Sequence, residues 1–134
     1  MDEKWTKALD RLESRREVVQ AAGGQARVDK QHASGKLTAR ERMEALFDDD
    51  TFVEINDMMT SRATDFGMDK KRLPGDGVIT GYGKIHGRTA VASSQDFTVN
   101  GGSLGEVHAQ KIVKAMDLAM KLKVPFIYIF FGLI

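Results

Sequence analysis

Cysteine is absent from the 134 residues, which excludes disulfides, thiolate metal sites and a cysteine nucleophile, and suits a reducing interior such as the cytoplasm. An excess of one charge is also lacking: 20 Lys and Arg face 19 Asp and Glu, a net +1, so no overall field draws nucleic acid or an anionic membrane. Aromatic residues make up 7% of the chain and are not interleaved with the basic ones, which removes the stacking platform that single-stranded nucleic acid needs. The most apolar stretch, VPFIYIFFGLI at 124–134, has eleven residues where a bilayer span needs about 20, and reads as a buried strand. The charged start MDEKWTKALDRLESRREVVQ has no apolar signal-peptide core, and its acidic residues argue against a transit peptide. Internal repeats and low-complexity segments are missing as well.

What remains is the composition of a soluble globular chain, 42% apolar and 29% charged, with the length of one domain or part of one. In residues 3–22, Trp5, Leu9, Leu12 and Val19 fall on one helical face, and Gly23 and Gly24 supply a stop. A polar link QARVDKQHASGK follows, then Thr38 and Glu41 form a capping box for a short helix ARERMEALF. TFVEIND reads as a short strand, and MMTSRATDFGMDKKRLPGDG, with breakers Pro74, Gly75 and Gly77, as a loop. Two strand-like runs surround His86-Gly87, a plausible two-residue hairpin turn. Ser103 and Glu106 suggest a second capping box, opening a helix in which Ile112, Val113, Met116, Ala119 and Met120 recur at helical spacing. Val124-Pro125 ends it and the strand FIYIFF begins, so strand, helix and strand imply a right-handed parallel crossover and an α/β fold.

For chemistry, NGGSLGE at 100–106 offers two readings. Backbone N–H groups at the helix start can cradle a phosphate or carboxylate, or the glycines simply let the strand bend into the helix. The spacing of Gly101, Gly102 and Gly105 matches neither the dinucleotide fingerprint nor a Walker loop. His32, His86 and His108 lie far apart without carboxylates at ligand spacing, so no metal site is expected; His108, one turn into the helix, is either a ligand contact or a packing residue. Ser93, Ser94 and Ser103 lack a nucleophile-elbow context. Two basic groups, Lys36, Arg40 and Arg42, then Lys70, Lys71 and Arg72, can either hold phosphates or be solvated, and acidic residues lie beside both.

GKLTARERMEALFDDDTFVEI (35–55), FGMDKK (66–71), PGDGVITGYGKIHGR (74–88) and SQDFTVNGGSLGEVHAQKIVKAMDLAM (94–120) resemble the N-terminal part of the carboxyltransferase subunits of biotin-dependent acyl-CoA carboxylases. That group includes the propionyl-CoA carboxylase β, methylmalonyl-CoA decarboxylase α and large transcarboxylase subunits. The resemblance runs from about residue 9 to Phe126. It implies a partial crotonase-like fold, with helices over 1–47 leading into a ββα turn and one further strand over 48–134. It also implies acyl-CoA as substrate, biotin carried on a partner (a biotin carboxyl carrier or biotin carboxylase subunit) and a homo-oligomer in the intact family. The chemistry implied is carboxyl transfer between carboxybiotin and the thioester α-carbon, with backbone N–H groups stabilising the developing oxyanions and no metal at the centre. By the same resemblance Lys36, Arg40, Arg42, Ser94, Gln95, Phe97, Gly101, Gly102 and Ser103 are CoA-site candidates.

Where family members continue into Asp-Ser-Gly-Gly-Ala-Arg, the glycine pair of their oxyanion hole, this chain reads FIYIFFGLI with Gly132 alone. The resemblance therefore implies a truncated subunit with no catalytic residue of its own, inactive by itself, and with a large exposed apolar patch. Two alternatives stand beside it. One is an interaction fragment that assembles with a full-length subunit; the other is a small CoA-binding module using the glycine turn.

Overall fold

The computed structural model describes residues 2–70 and 72–130, so Lys71 and Gly132, with the end of the expected last strand, lie outside the described residues. In chain order the elements are α1 (Glu3–Gln20), α2 (Gln25–Ala33), α3 (Ala39–Leu46), β1 (Val53–Ile55), β2 (Val78–Ile85), β3 (Arg88–Gln95), α4 (Glu106–Leu122) and β4 (Phe126–Ile129). The strands form one sheet in the order β1-β2-β3-β4. The first three are antiparallel neighbours, and β4 runs parallel to β3 in the register Val91↔Phe126 to Ser94↔Ile129.

Local chemistry accounts for most of the boundaries. Asp2 caps α1 by accepting the Lys4 N–H. Thr38 and Glu41 form the expected capping box at α3, with Thr38 Oγ1 accepting from the Glu41 N–H at 3.2 Å and Glu41 accepting from the Thr38 N–H at 2.8 Å. That backbone bond, with the His32 ring 2.9 Å from the same carboxylate, holds Glu41 below the usual carboxylate range. The β2–β3 turn is the two-residue kind, with His86 at φ 49° and Gly87 at φ 76°, the twist that suits a hairpin. Asp48 reaches back from the end of α3 to accept both turn N–H groups, at 2.9 and 2.8 Å.

The sheet is covered on two sides by different means. On one face α3 presents Ala39 and Met43, which with Phe47 pack on Ile79, Ala90 and Ala92. Gly81 belongs to this face because a Cβ there would come within 2.4 Å of the Phe52 ring and of the Val53 carbonyl. On the other face α4 packs Ala115 and Ala119 on Val91, with Tyr82 and Phe126 at the margin.

Three expectations need correction. The link after Gly24 is a helix, α2; it buries only Gln31, so its face carries almost no apolar periodicity to detect. Helix α4 begins at Glu106 with Gly105 as its cap residue and no side-chain cap from Ser103, for a reason given below. The apolar residues expected on one face of α4 divide between two: Ile112 and Ala119 are buried, while Val113, Met116 and Met120 are exposed. On α1 only Val19 is buried, and Trp5 and Leu9 keep 65% and 49% exposure, so its apolar stripe lacks cover among the described residues. Tyr128 and Phe130 are exposed as well, at 39% and 61%.

Candidate functional site

The chain passes from β3 into α4 through residues 96–105, and this crossover is locked from three directions. The buried Asp96 carboxylate accepts from the backbone N–H and the hydroxyl of Thr98, and its own N–H donates to the Gly77 carbonyl at 2.7 Å. Asn100, Gly101 and Gly102 follow with φ of 48°, 65° and 67°, three successive left-handed residues that reverse the chain. The Gly102 N–H closes the turn on the Val99 carbonyl at 2.8 Å. Thr98 in turn ties the turn to the helical lead-in, its hydroxyl accepting from the Gly23 N–H at 3.0 Å and its carbonyl from the Arg27 guanidinium at 3.1 Å.

The second lock is the loop before β2. Asp76, 8% exposed, places its carboxylate at the start of α4 and accepts the His108 N–H at 2.9 Å, the service that Ser103 was expected to supply. The His108 ring is fully buried, and its Nδ1 donates to the Asp76 carbonyl at 2.9 Å, which leaves Nε2 without a hydrogen-bond partner among the described residues. Burial pushes this histidine below its ordinary pKa, with Asp76 opposing. Gly77 has φ 75°, and a Cβ there would stand 3.2 Å from the Val99 carbonyl and 3.4 Å from His108 Nδ1.

The third is Lys111, one turn further along α4 and wholly buried. Its ammonium donates to the carbonyls of Gly75 and Val78 and forms no ion pair among the described residues. Burial lowers its pKa from 10.5 to about 8, against the opposing pull of Glu54, Asp57 and Asp76. Sequence reasoning passed over Lys111, yet the signal existed: it stands four residues from both Val107 and Ala115, on the stripe that faces the sheet.

The resemblance-based candidates fall into two groups. Lys36 is exposed in the link before α3, and Arg42 is half-buried on α3 itself, where burial lowers its guanidinium pKa. Arg40 is committed to Glu54, Nη1 to Oε2 at 2.7 Å, with 18% and 12% of the two side chains exposed. It also borders a void of about 10 Å³ shared with Asp96 and Val99, room for no more than a water molecule. The structure thus brings Arg40 to the foot of the crossover. Ser94 follows Ala90 and Ala92 on the α3 face of β3, buried and with no partner for its hydroxyl among the described residues. Gln95 ends the strand; Phe97, Gly101 and Ser103 are exposed on the turn, and Gly102 is buried within it. Among the described residues no cluster of His, Asp or Glu is arranged to hold a metal, and no helix is long and apolar enough to cross a membrane.

Comparison with known proteins gives this crossover a context. The carboxyl transferase domain family matches residues 30–131. The methylmalonyl-CoA decarboxylase subunit alpha of Veillonella parvula is 55% identical over 119 residues, covering 89% of this chain and 23% of that relative. The propionyl-CoA carboxylase beta chain of Cereibacter sphaeroides is 56% identical over the same length and with the same coverage. Among solved structures, transcarboxylase 12S, a hexameric multienzyme core with methylmalonyl-CoA bound, superposes with a TM-score of 0.86 at 48% identity, covering 90% of this chain and 23% of that one. The chain therefore spans about a quarter of the length of the relatives it matches.

Proposed function

Because the chain belongs to the carboxyl transferase domain family, we propose that it forms the opening part of an acyl-CoA carboxyltransferase subunit, with residues 1–47 as helical lead-in and 48–134 as the start of a crotonase-like superhelix. The reaction is transfer of a carboxyl group between carboxybiotin, carried by a partner protein, and the α-carbon of an acyl-CoA of the propionyl or methylmalonyl class. One observation carries this reading: the family match over residues 30–131 runs through the locked crossover and all four strands.

In this reading the crossover is a rigid shelf. The bonds from Asp96, Thr98, Asp76 and Lys111 fix where the 100–102 turn stands relative to the sheet, and a fixed turn lets acyl-CoA bind without a large ordering cost. Gln95, Phe97, Gly101 and Ser103 remain candidates for contact with CoA on the exposed side of that shelf. Arg40, held by Glu54, and Ser94, inside the sheet packing, act as supports rather than contacts.

The 134 residues alone are not expected to turn over, since they span a quarter of the relatives' length; the uncovered faces of α1, α4 and β4 are where the remainder of a subunit would pack. The test is complementation. The chain is co-expressed with the remaining C-terminal part of the Veillonella parvula relative, and transfer of label from methylmalonyl-CoA to free biotin is measured. Transfer by the reconstituted pair and none by either part supports the reading. A stable, folded complex that binds methylmalonyl-CoA but transfers nothing overturns it.

A further inference from the structure

Of the two edges of the sheet, one is guarded and the other open. The β1 edge is three residues long, its Glu54 is pinned to Arg40, and Asp50 and Asp57 flank it. Short length and charge are what keep an edge strand from pairing with another chain. The β4 edge has neither protection from charge nor a neighbour: among the described residues it pairs only with β3, and the sequence from Val124 to Ile134 has no charged residue. The Val91 N–H donates to the Pro125 carbonyl at 3.0 Å, so position 125 turns its carbonyl toward β3. Alternation along the strand turns the backbone groups of Ile127 and Ile129 the same way and sends those of Phe126, Tyr128 and Phe130 outward. The side chains of these three stand on the α4 face, Phe126 beside Val91 and Tyr128 beside Ser93. The Tyr128 and Phe130 rings are exposed and stacked, with centroids 5.5 Å apart.

We propose that this edge pairs with the β4 edge of a second copy of the chain, antiparallel about a two-fold axis at Tyr128. In that register Tyr128 faces Tyr128 and Phe126 faces Phe130, and the outward N–H and C=O groups of all three exchange hydrogen bonds. A two-fold centred elsewhere on the strand pairs fewer of these residues with one another. An uncharged strand meets its own copy without setting like charges face to face, and the stacked rings continue across the seam as one aromatic row. The net charge of +1 on each copy opposes the approach only weakly. Because the β1 edges left at the two ends are guarded, the pairing closes as a dimer and does not grow into a filament.

Sedimentation velocity of the full 134-residue chain over a range of concentrations, with amide exchange on the same samples, tests the seam. The expected result is a monomer–dimer equilibrium in which the Phe126 and Tyr128 N–H groups gain protection as dimer accumulates, while those of Ile127 and Ile129, turned to β3, are protected at every concentration. Tyr128→Lys and Tyr128→Glu each set two like charges face to face and should weaken the dimer about tenfold or more; an equimolar mixture of the two should restore it as a heterodimer. Where a variant fails to fold, the exchange pattern of the parent chain decides alone. A monomer at every concentration, species that keep growing with concentration, or a dimer whose Phe126 and Tyr128 amides exchange freely each overturns the seam. So does a dimer that ignores both Tyr128 variants and is lost in Trp5→Lys with Leu9→Lys, which assigns the contact to the exposed stripe of α1. The seam belongs to this chain whether or not it forms part of a carboxyltransferase subunit, which the complementation experiment decides separately.

Discussion

The two faces of α4 each depart from the usual order of a surface helix at two or three positions. Its inward face carries His108 and Lys111, both fully buried, beside Val107, Ile112, Ala115 and Ala119. Its outward face shows Val113, Met116 and Met120, at spacings of three and four, to solvent. Ordinary amphipathic helices put the methionines inside and the lysine outside. The inward face of α4 carries polar side chains among apolar ones because it does two jobs: its C-terminal half packs on β3, and its N-terminal half fastens the 74–78 loop through hydrogen bonds to Asp76, Gly75 and Val78. On the outward side Val113, Met116 and Met120 stand among the exposed Lys114, Asp117 and Lys121, and the three apolar side chains suit further packing.

The strongest way to break this contrast is from inside. Lys111→Ala takes the ammonium donor from the buried Val78 carbonyl, leaves the Gly75 carbonyl with the Val78 N–H alone, and opens a cavity, an expected loss of about 3 kcal/mol in urea denaturation. Next comes the helix start: Asp76→Ala removes the acceptor of the His108 N–H and should cost about 1 to 2 kcal/mol, with amide exchange accelerated first at residues 106–109.

A pH series then separates charge from packing. Both buried bases on α4 are pushed downward, so the folded chain binds fewer protons than the unfolded one between the folded and unfolded pKa of each, and stability rises with pH in that window. For Lys111 the rise should run from about pH 8 to 10.5, and it should vanish in Lys111→Met. For His108 it should lie below the ordinary histidine pKa and vanish in His108→Gln; a flat profile in the parent chain would refute both. The smallest effect belongs outside: Met116→Lys with Met120→Lys should change stability by less than about 0.5 kcal/mol, because both side chains are exposed, Met116 by 42% and Met120 by 76%. The same pair should abolish complementation by the remainder of a carboxyltransferase subunit; complementation that survives would show that another part of the subunit surface does the joining.

How much of this was readable beforehand follows the range of the interactions. The Thr38–Glu41 box and the His86–Gly87 turn were legible because partner and signal lie within three residues of each other. The start of α4 was misread for the opposite reason. Ser103 and Glu106 have the right spacing, but Asp76, some thirty positions upstream, does the capping, and no local pattern announces it. Helix α2 was missed because its anchoring is polar: Gln31 bonds the Leu37 carbonyl and Arg27 the Thr98 carbonyl, so apolar period alone is a poor guide. Of the candidate site, the turn at 100–102 was legible from its glycines. Lys111 was hidden by its identity, since lysine on a helix is read as solvent-facing.

The strand pairing also carries a consequence for the order of folding. β2 and β3 are joined by two residues and can zip within microseconds of meeting, whereas β4 reaches β3 only after the chain has passed through residues 96–125 and built α4 on the way. The hairpin should therefore form early and the parallel ladder late. In the interval, β3 would offer an unpaired edge carrying Val91 and Ala92, a moment of vulnerability to aggregation whose length is set by how quickly α4 settles on its buried lysine.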